Sequence, residues 1–549
     1  MWSILRSLFP RFIKNTIGKR AIGLSIIMLS FTVFLLCIYI PSNAIYDWVF
    51  PFGWDTPTYI FMARVILTEG YIKLLFEHLY PFGAHVMLAI FAKLLRDNPI
   101  VAWHVVQLAS LLVAMIGIAM LYNKCFGESL WGYLAGATLP FLSTTYYMLG
   151  GLLQQLIFFP IYPYFLLANL KIIKNLSNKM LLTIALLLLF SWWVWPWGFP
   201  LSIISLLALV PFISGKVRWR ILAILIVASA LYFTWYNTYL SRLYASLNLP
   251  VRIIGGIPLP TQISRNIPFT FSWLIGFYNG SYILFVFAVI AILANLVSKC
   301  NSRIYLALVN LIVATIVSPV FPFDEVSRRL SPFLLQGFWS IHLLQLLITK
   351  LRKISHLQLL MRTPKSGRIN IDKRVVEKMV AVILVSILIL QLNPLNSTTL
   401  LQRQSWWRIW YSGNVKEFFF TLHRISNECN LNTLPVIIVP VEKGLYFPIT
   451  YCAYIKAFIP NSIIISVNKQ DVPIKKEYLV AVESIDYPLS HPLCSLTGSG
   501  ASLSYYLSHN CSIGILYIKG LINLGAEEYH SDLVNKGFYL EVINSSVSI

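Results

Sequence analysis

Apolar runs of the length that crosses a bilayer's hydrocarbon core, about 20 residues, recur through the first two thirds of the chain, separated by short polar or basic turns. They predict spans at 21–40, 100–122, 130–148, 152–170, 180–195, 197–213, 221–240, 281–297, 304–320, 332–348 and 375–392. That makes about eleven crossings, several of them short or punctuated by proline. A further apolar stretch, 84–95, is only about twelve residues long and carries His85 and Lys93, which suits a helix lying in the interface. Beyond residue 394 the pattern changes. β-Branched runs at 434–441 and 462–467, with similar ones at 478–482 and 513–518, predict strands, and 415–429 reads as a helix. The expected architecture is a polytopic α-helical membrane domain over 1–394 followed by an α/β domain over 395–549.

Charge orients these spans. The chain is 57% hydrophobic and 12% charged, where a soluble domain carries about 25% charged residues. Its net charge is +22, yet residues 395–549 hold 11 basic and 11 acidic residues, so the whole excess belongs to the membrane part. The positive-inside bias accounts for such an excess, and no nucleic-acid partner is expected. Arg6, Arg11, Lys14, Lys19 and Arg20 precede the first span and place the N-terminus in the cytoplasm. No small-residue cleavage site follows that span, so it is expected to stay as an anchor. Lys171/Lys174/Lys179, Lys216/Arg218/Arg220, Lys299/Arg303 and the basic stretch 350–378 mark further cytoplasmic turns. Alternation then sends 41–99, 241–280, 321–331 and the C-terminal domain to the exterior. That domain holds Cys429, Cys452, Cys494 and Cys511. An exported domain can join them as two disulfides in any of three pairings, or keep four thiols.

No nucleotide-binding glycine motif occurs, Gly498 and Gly500 reading as a turn, and no internal repeat stands out. The chemistry concentrates in the exterior segments. Asp55 follows Trp54 in the first long loop, with apolar neighbours that weaken its hydration and suit it to general-base work. The alternative is structural: Thr56-Pro57 fits a helix start, and an acidic residue there suits the helix dipole. Arg328 and Arg329, at the exterior start of a late span, are suited to a lipid phosphate, or else pair with Asp324 and Glu325 or reach anionic headgroups. Gln154 and Gln155 can hydrogen-bond a sugar or a neighbouring helix. Arg64 and Glu69 read as a solvated or headgroup-facing pair. Glu77, His78 and His85 match no metal-ligand spacing. The run 191–197, rich in tryptophan, reads as an aromatic belt or a sugar-stacking surface.

The layout resembles the GT-C superfamily of polyprenyl-phosphate-sugar-dependent membrane transferases, which includes protein O-mannosyltransferases and aminoarabinose transferases. The resemblance covers roughly residues 20–350. It rests on the span pattern, on Gly53-Trp54-Asp55 just after the first span, and on Gly70-Tyr71 and Tyr80-Pro81-Phe82-Gly83 between two short helices, 58–69 and 84–95. It implies that Asp55 is the catalytic base, that Arg328 or Arg329 holds the donor phosphate, and that Trp54, Gln154, Gln155, Asp324 and Glu325 line the substrate site. The implied partners are membrane lipid, a polyprenyl-linked sugar donor, and a glycan, lipid or protein acceptor. The sequence departs from the pattern in having Thr56 where many members place a second acidic residue, so no metal ligand is assigned and divalent-metal dependence stays open. A catalytically silent scaffold and a transporter or lipid flippase are the competing readings.

Overall fold

The computed structural model describes residues 16–44, 56–72, 75, 81–96, 98–142, 145, 149, 153–174, 178–213, 215–246, 282–313, 338–347 and 349, and the strand residues 433–441, 463–468, 512–519 and 539–543. The helices in chain order are α1 (Thr16–Phe34), α2 (Thr56–Glu69), α3 (Gly83–Leu94), α4 (Pro99–Phe126), α5 (Leu130–Thr138) and α6 (Leu153–Lys174). They continue with α7 (Asn178–Val194), α8 (Phe199–Leu207), α9 (Gly215–Ser246), α10 (Tyr282–Leu296) and α11 (Asn301–Ile312). Residues 338–347 are also helical.

Local chemistry sets several of these boundaries. Asn98 caps α4, its Oδ1 accepting from the backbone N–H groups of Ile100 and Val101 at 3.1 Å each, with Pro99 at the first helical position. Gly127, at φ 91°, ends the same helix, donating its N–H to the Asn123 carbonyl. Pro140 closes α5 into a 3-10 turn, Leu139–Phe141, so the helix that opens the expected span 130–148 ends at Thr138.

Four helices among the described residues are long and apolar enough to cross a membrane: Arg20–Tyr39, Pro99–Phe126, Leu153–Ile173 and Val217–Tyr239. Shorter apolar helices lie at Gly83–Leu94, Asn178–Val194, Phe199–Phe212 and Val286–Leu296. The span expected at 375–392 lies outside the described residues. The crossing helices expose leucine, valine and methionine outward, including Leu29 at 67% and Leu36 at 62% on the first span. Their opposite faces bury Phe34, Trp103, Tyr122, Phe158 and Tyr162. An apolar interior beneath an apolar surface is what lipid solvation requires. This is an α-helical membrane protein.

Side-chain contacts fix how the helices alternate. Arg20 pairs with Glu128, and Tyr39 meets His104, so α1 and α4 are antiparallel. Ser30 Oγ donates to the Ala137 carbonyl at 2.5 Å and Gly23 abuts Tyr133, making α5 parallel to α1. Gln107 meets the Leu149 carbonyl and Gly117 meets Pro163 and Tyr164, making α6 parallel to α4. Gly132 and Gly136 on α5 let the α4 backbone come close: a Cβ at Gly136 would stand 2.2 Å from the Met115 carbonyl oxygen. The result is a bundle with a basic end, where Arg20, Lys124, Lys171, Lys179, Arg220 and Arg303 gather, and a loop end, where α2 and α3 pack. The Arg20–Glu128 pair is exposed on both sides, 62% and 47%. Replacing both residues with glutamine is expected to leave the unfolding midpoint in detergent essentially unchanged, because water screens an exposed ion pair.

The described C-terminal strands, β1 (Thr433–Val441), β2 (Ile463–Asn468), β3 (Ser512–Lys519) and β4 (Tyr539–Ile543), form one sheet in the order β2-β1-β3-β4. β1 runs parallel to β2 and β3, while β3 and β4 are antiparallel. Parallel pairs need crossover connections. The helix expected at 415–429 and the strand expected at 478–482 lie outside the described residues, as do the four C-terminal cysteines. β1 is central despite two prolines, which have no N–H to donate. Pro435 pairs only towards β3 and Pro440 only towards β2, leaving each an open side.

Candidate functional site

The first long loop returns to the bundle as two helices that do not cross it. α2 buries Ile60, Phe61, Met62, Ala63 and Val65, and α3 buries Ala84, His85, Leu88, Ala89 and Ala92. α3 starts one residue from its expected position, and α2 begins at Thr56, two residues earlier than expected. Phe82, just before α3, has φ 47°, a left-handed conformation that a bulky residue adopts only under constraint. It lets the chain turn sharply into α3 and sets the Phe82 ring edge-on to His85, centroids 5.3 Å apart.

An aromatic row crosses this end of the molecule. His85 stacks on Tyr59 at 4.7 Å and 26°, and Tyr59 packs against Trp103 at 5.7 Å. Tyr59 lies four residues after Asp55, one helical turn along the chain. Four side chains at this end, on four different segments, each bury a polar atom that has no hydrogen-bond partner among the described residues: Asn43 Oδ1, His85 Nδ1, Trp103 Nε1 and Gln155 Oε1. An unpaired buried group costs about 1–3 kcal/mol, and such groups tend to mark sites that take up a polar ligand or water.

Beside the row lies a paired polar set. The first span widens into a π turn over Leu35–Tyr39, a device common at functional positions. The Tyr39 hydroxyl lies 2.7 Å from His104 Nδ1 and 2.9 Å from Gln107 Oε1. Gln107 Nε2 in turn donates to the Leu149 carbonyl at 2.9 Å, joining the first span, α4 and the approach to α6.

Burial pushes His85 down to about 3, so it stays neutral near pH 7. The sign of its linkage follows. Between its unfolded value, about 6.5, and 3, the unfolded chain binds the extra proton, so stability rises with pH. Unfolding stability is therefore expected to fall as pH drops from 6.5 towards 5, by up to about 1.4 kcal/mol per pH unit from this group. Comparing wild type with His85→Phe in chemical unfolding across that range checks this: the variant should lose that part of the slope.

Part of the tryptophan-rich run packs inside the bundle. Trp195 is buried against Phe158 at 5.2 Å, and Trp192 meets Trp235 at 6.0 Å. Trp193 Nε1 donates to the Tyr71 hydroxyl at 3.0 Å, which itself donates to the Pro81 carbonyl at 2.7 Å. These bonds strap the loop between α2 and α3 to the end of α7. The approach is tight, since a Cβ at Gly83 would stand 2.3 Å from the Trp193 carbonyl oxygen.

Of the candidates named from sequence, Gln154 and Gln155 are both buried at the start of α6. Asp55, Trp54, Asp324, Glu325, Arg328 and Arg329 lie outside the described residues, as do Glu77 and His78. Arg64 is partly buried and its surroundings lower its pKa by desolvation, which removes full solvation and leaves the headgroup-facing expectation standing. The Tyr59–His85–Trp103 row escaped the sequence reading because its members are spread over three helices. Among the described residues no group of three or more His, Cys, Asp or Glu side chains is placed to hold a metal ion. No protein-family model matches this chain, and comparison with curated proteins finds no relative.

Proposed function

We propose that this chain is a membrane glycosyltransferase that moves a sugar from a polyprenyl-phosphate or pyrophosphate donor to a lipid, glycan or protein acceptor at its loop end. The observation that carries this reading is the return of the first loop as two buried, non-crossing helices, with a row of aromatic and imidazole rings that includes Tyr59, four residues after Asp55 in the sequence. A lipid-linked donor presents its sugar at the membrane surface, and a loop packed on the bundle there is placed to receive it. In this mechanism the Asp55 carboxylate takes the proton from the acceptor hydroxyl as its oxygen attacks the anomeric carbon. The bond from that carbon to the phosphate oxygen breaks, and Arg328 or Arg329 stabilises the departing phosphate. Asp324 and Glu325 orient the arginines.

The topology that goes with this function has about eleven spans, a cytoplasmic N-terminus at the basic end, and an extracytoplasmic α/β domain over 395–549 that recognises the acceptor. The positive-inside bias supports that orientation, because cations of α1, α4, α6, α7, α9 and α11 gather at one end of the bundle. The test is sugar release from radiolabelled polyprenyl-phosphate sugars by the purified full-length protein, with and without a chelator. Turnover supports the transferase, and the chelator arm decides the metal question. Donor binding without turnover for any acceptor points to a silent scaffold. Absence of donor binding overturns the reading and favours transport.

A further inference from the structure

The chain contains no acidic residue between Glu128 and Asp324, while eleven lysines and arginines fall in that stretch. Part of this charge meets at one corner of the basic end. Arg220 Nη1 donates to Asn178 Oδ1 at 3.1 Å, tying the start of α9 to the start of α7. Further along the same helices Trp192 meets Trp235. The offsets match, so α7 and α9 run parallel, with the two contacts about 21 Å apart along the helices. Lys179 and Arg220 are exposed at this corner, with Trp219 beside Arg220 at 73% exposure, while Arg218 turns to the other side of α9 and donates to the Ile213 carbonyl.

Apolar faces continue from these cations. On α7, Lys179 is followed at helical spacing by Leu182, Leu186 and Leu189, exposed at 61%, 55% and 60%. On α9, Trp219 is followed by Ile226, Val227 and Leu231, all more than half exposed. A cationic cluster heading two apolar faces has the polarity of an anionic phospholipid. The phosphate accepts charge-assisted hydrogen bonds from lysine and arginine, the indole suits the interface, and the acyl chains cover the leucines and isoleucine. A second copy of the chain would set cation against cation here. A water-soluble acidic protein would leave the leucines uncovered.

We propose that the corner of α7 and α9 formed by Lys179, Trp219 and Arg220 is a binding site for the headgroup of an anionic phospholipid in the leaflet at the basic end. The proposal rests on α7 and α9 standing in a bilayer and is independent of the transferase reading. In neutral detergent, dioctanoyl phosphatidylglycerol is expected to raise the unfolding midpoint of the full-length protein more than dioctanoyl phosphatidylcholine does. Native mass spectrometry should show the glycerol lipid retained. Lys179→Gln with Arg220→Gln should weaken that preference roughly tenfold in apparent Kd, while Lys179→Arg with Arg220→Lys keeps it and so guards against a folding defect. Equal responses to the two lipids, or an unchanged preference in the neutral variant, overturn the site. An equal shift from inorganic phosphate assigns a free-anion site instead, and conversion of a dimer to a monomer in the neutral variant assigns an interface between copies.

Discussion

Asp55→Asn is expected to lower sugar transfer by about 10²–10⁴-fold, the usual contribution of a positioned general base, while donor binding is retained. The substitution is chosen because it separates the two roles of this residue. Asp55 stands one position before Thr56, where α2 begins, so its side chain is also a candidate helix cap. Asparagine caps a helix about as well as aspartate does, and it is nearly the same size, but it cannot accept a proton at neutral pH. A residue that only caps α2 therefore leaves turnover and stability unchanged in the variant. A base loses turnover with stability unchanged. Asp55→Ala removes both functions and completes the comparison. Arg329→Ala should behave differently, raising the donor KM as well as lowering kcat, since a phosphate ligand acts in the ground state too. The measurement is initial rate against donor concentration for each variant, with unfolding midpoints recorded in the same detergent.

Gly83→Ala is expected to destabilise the protein by about 1–3 kcal/mol, the usual cost of forcing an extra carbon into a packed contact, and to lower transfer as well. The added Cβ would stand 2.3 Å from the Trp193 carbonyl oxygen, a backbone atom that cannot swing aside. α3 must then move away from α7, which strains the bonds joining Trp193, Tyr71 and Pro81 and shifts His85 against Tyr59. Gly136→Ala provides the control. Its Cβ would stand 2.2 Å from the Met115 carbonyl oxygen, an equally severe clash in the α4–α5 contact within the bundle. Both variants should lose stability, seen as a lower unfolding midpoint. Only Gly83→Ala should lose more turnover than its remaining folded fraction explains. Equal specific activity per folded molecule in the two variants would remove the loop end from the active site.

The short helices show where reading the sequence reached its limit. α3 falls within one residue of its expected place because a twelve-residue apolar stretch cannot span a bilayer, whereas α2 was expected from the family resemblance. The span expected at 130–148 was harder, since hydropathy does not register that Pro140 ends the helix early. Gly132 and Gly136, four residues apart, carry a legible signal for close helix packing, though their partner, the α4 backbone, does not follow from spacing. β4 has only five residues with Glu541 in the middle, so it lacks the sustained β-branched character that marked the other strands.

At the candidate site the same division holds. Asp55 is a candidate on local grounds alone, from its chemistry and its sequence neighbours, and it lies outside the described residues. The tryptophan-rich run was legible as aromatic, yet its role as a strap on the first loop depends on Tyr71, 122 positions away in the chain. Arg64 read as solvated or headgroup-facing because a charge normally is, and only packing shows that it is partly buried. What the sequence determined by itself is the solvent of each segment, because burial in lipid depends on length and polarity summed along one stretch of chain. The tertiary structure alone decided which side chains meet: the His85–Tyr59–Trp103 row, the bonds from Tyr39 through Gln107 to Leu149, and the corner where Arg220 reaches Asn178. Those contacts join residues far apart in the chain, and each exists only once the helices have chosen their neighbours, their direction and their rotation.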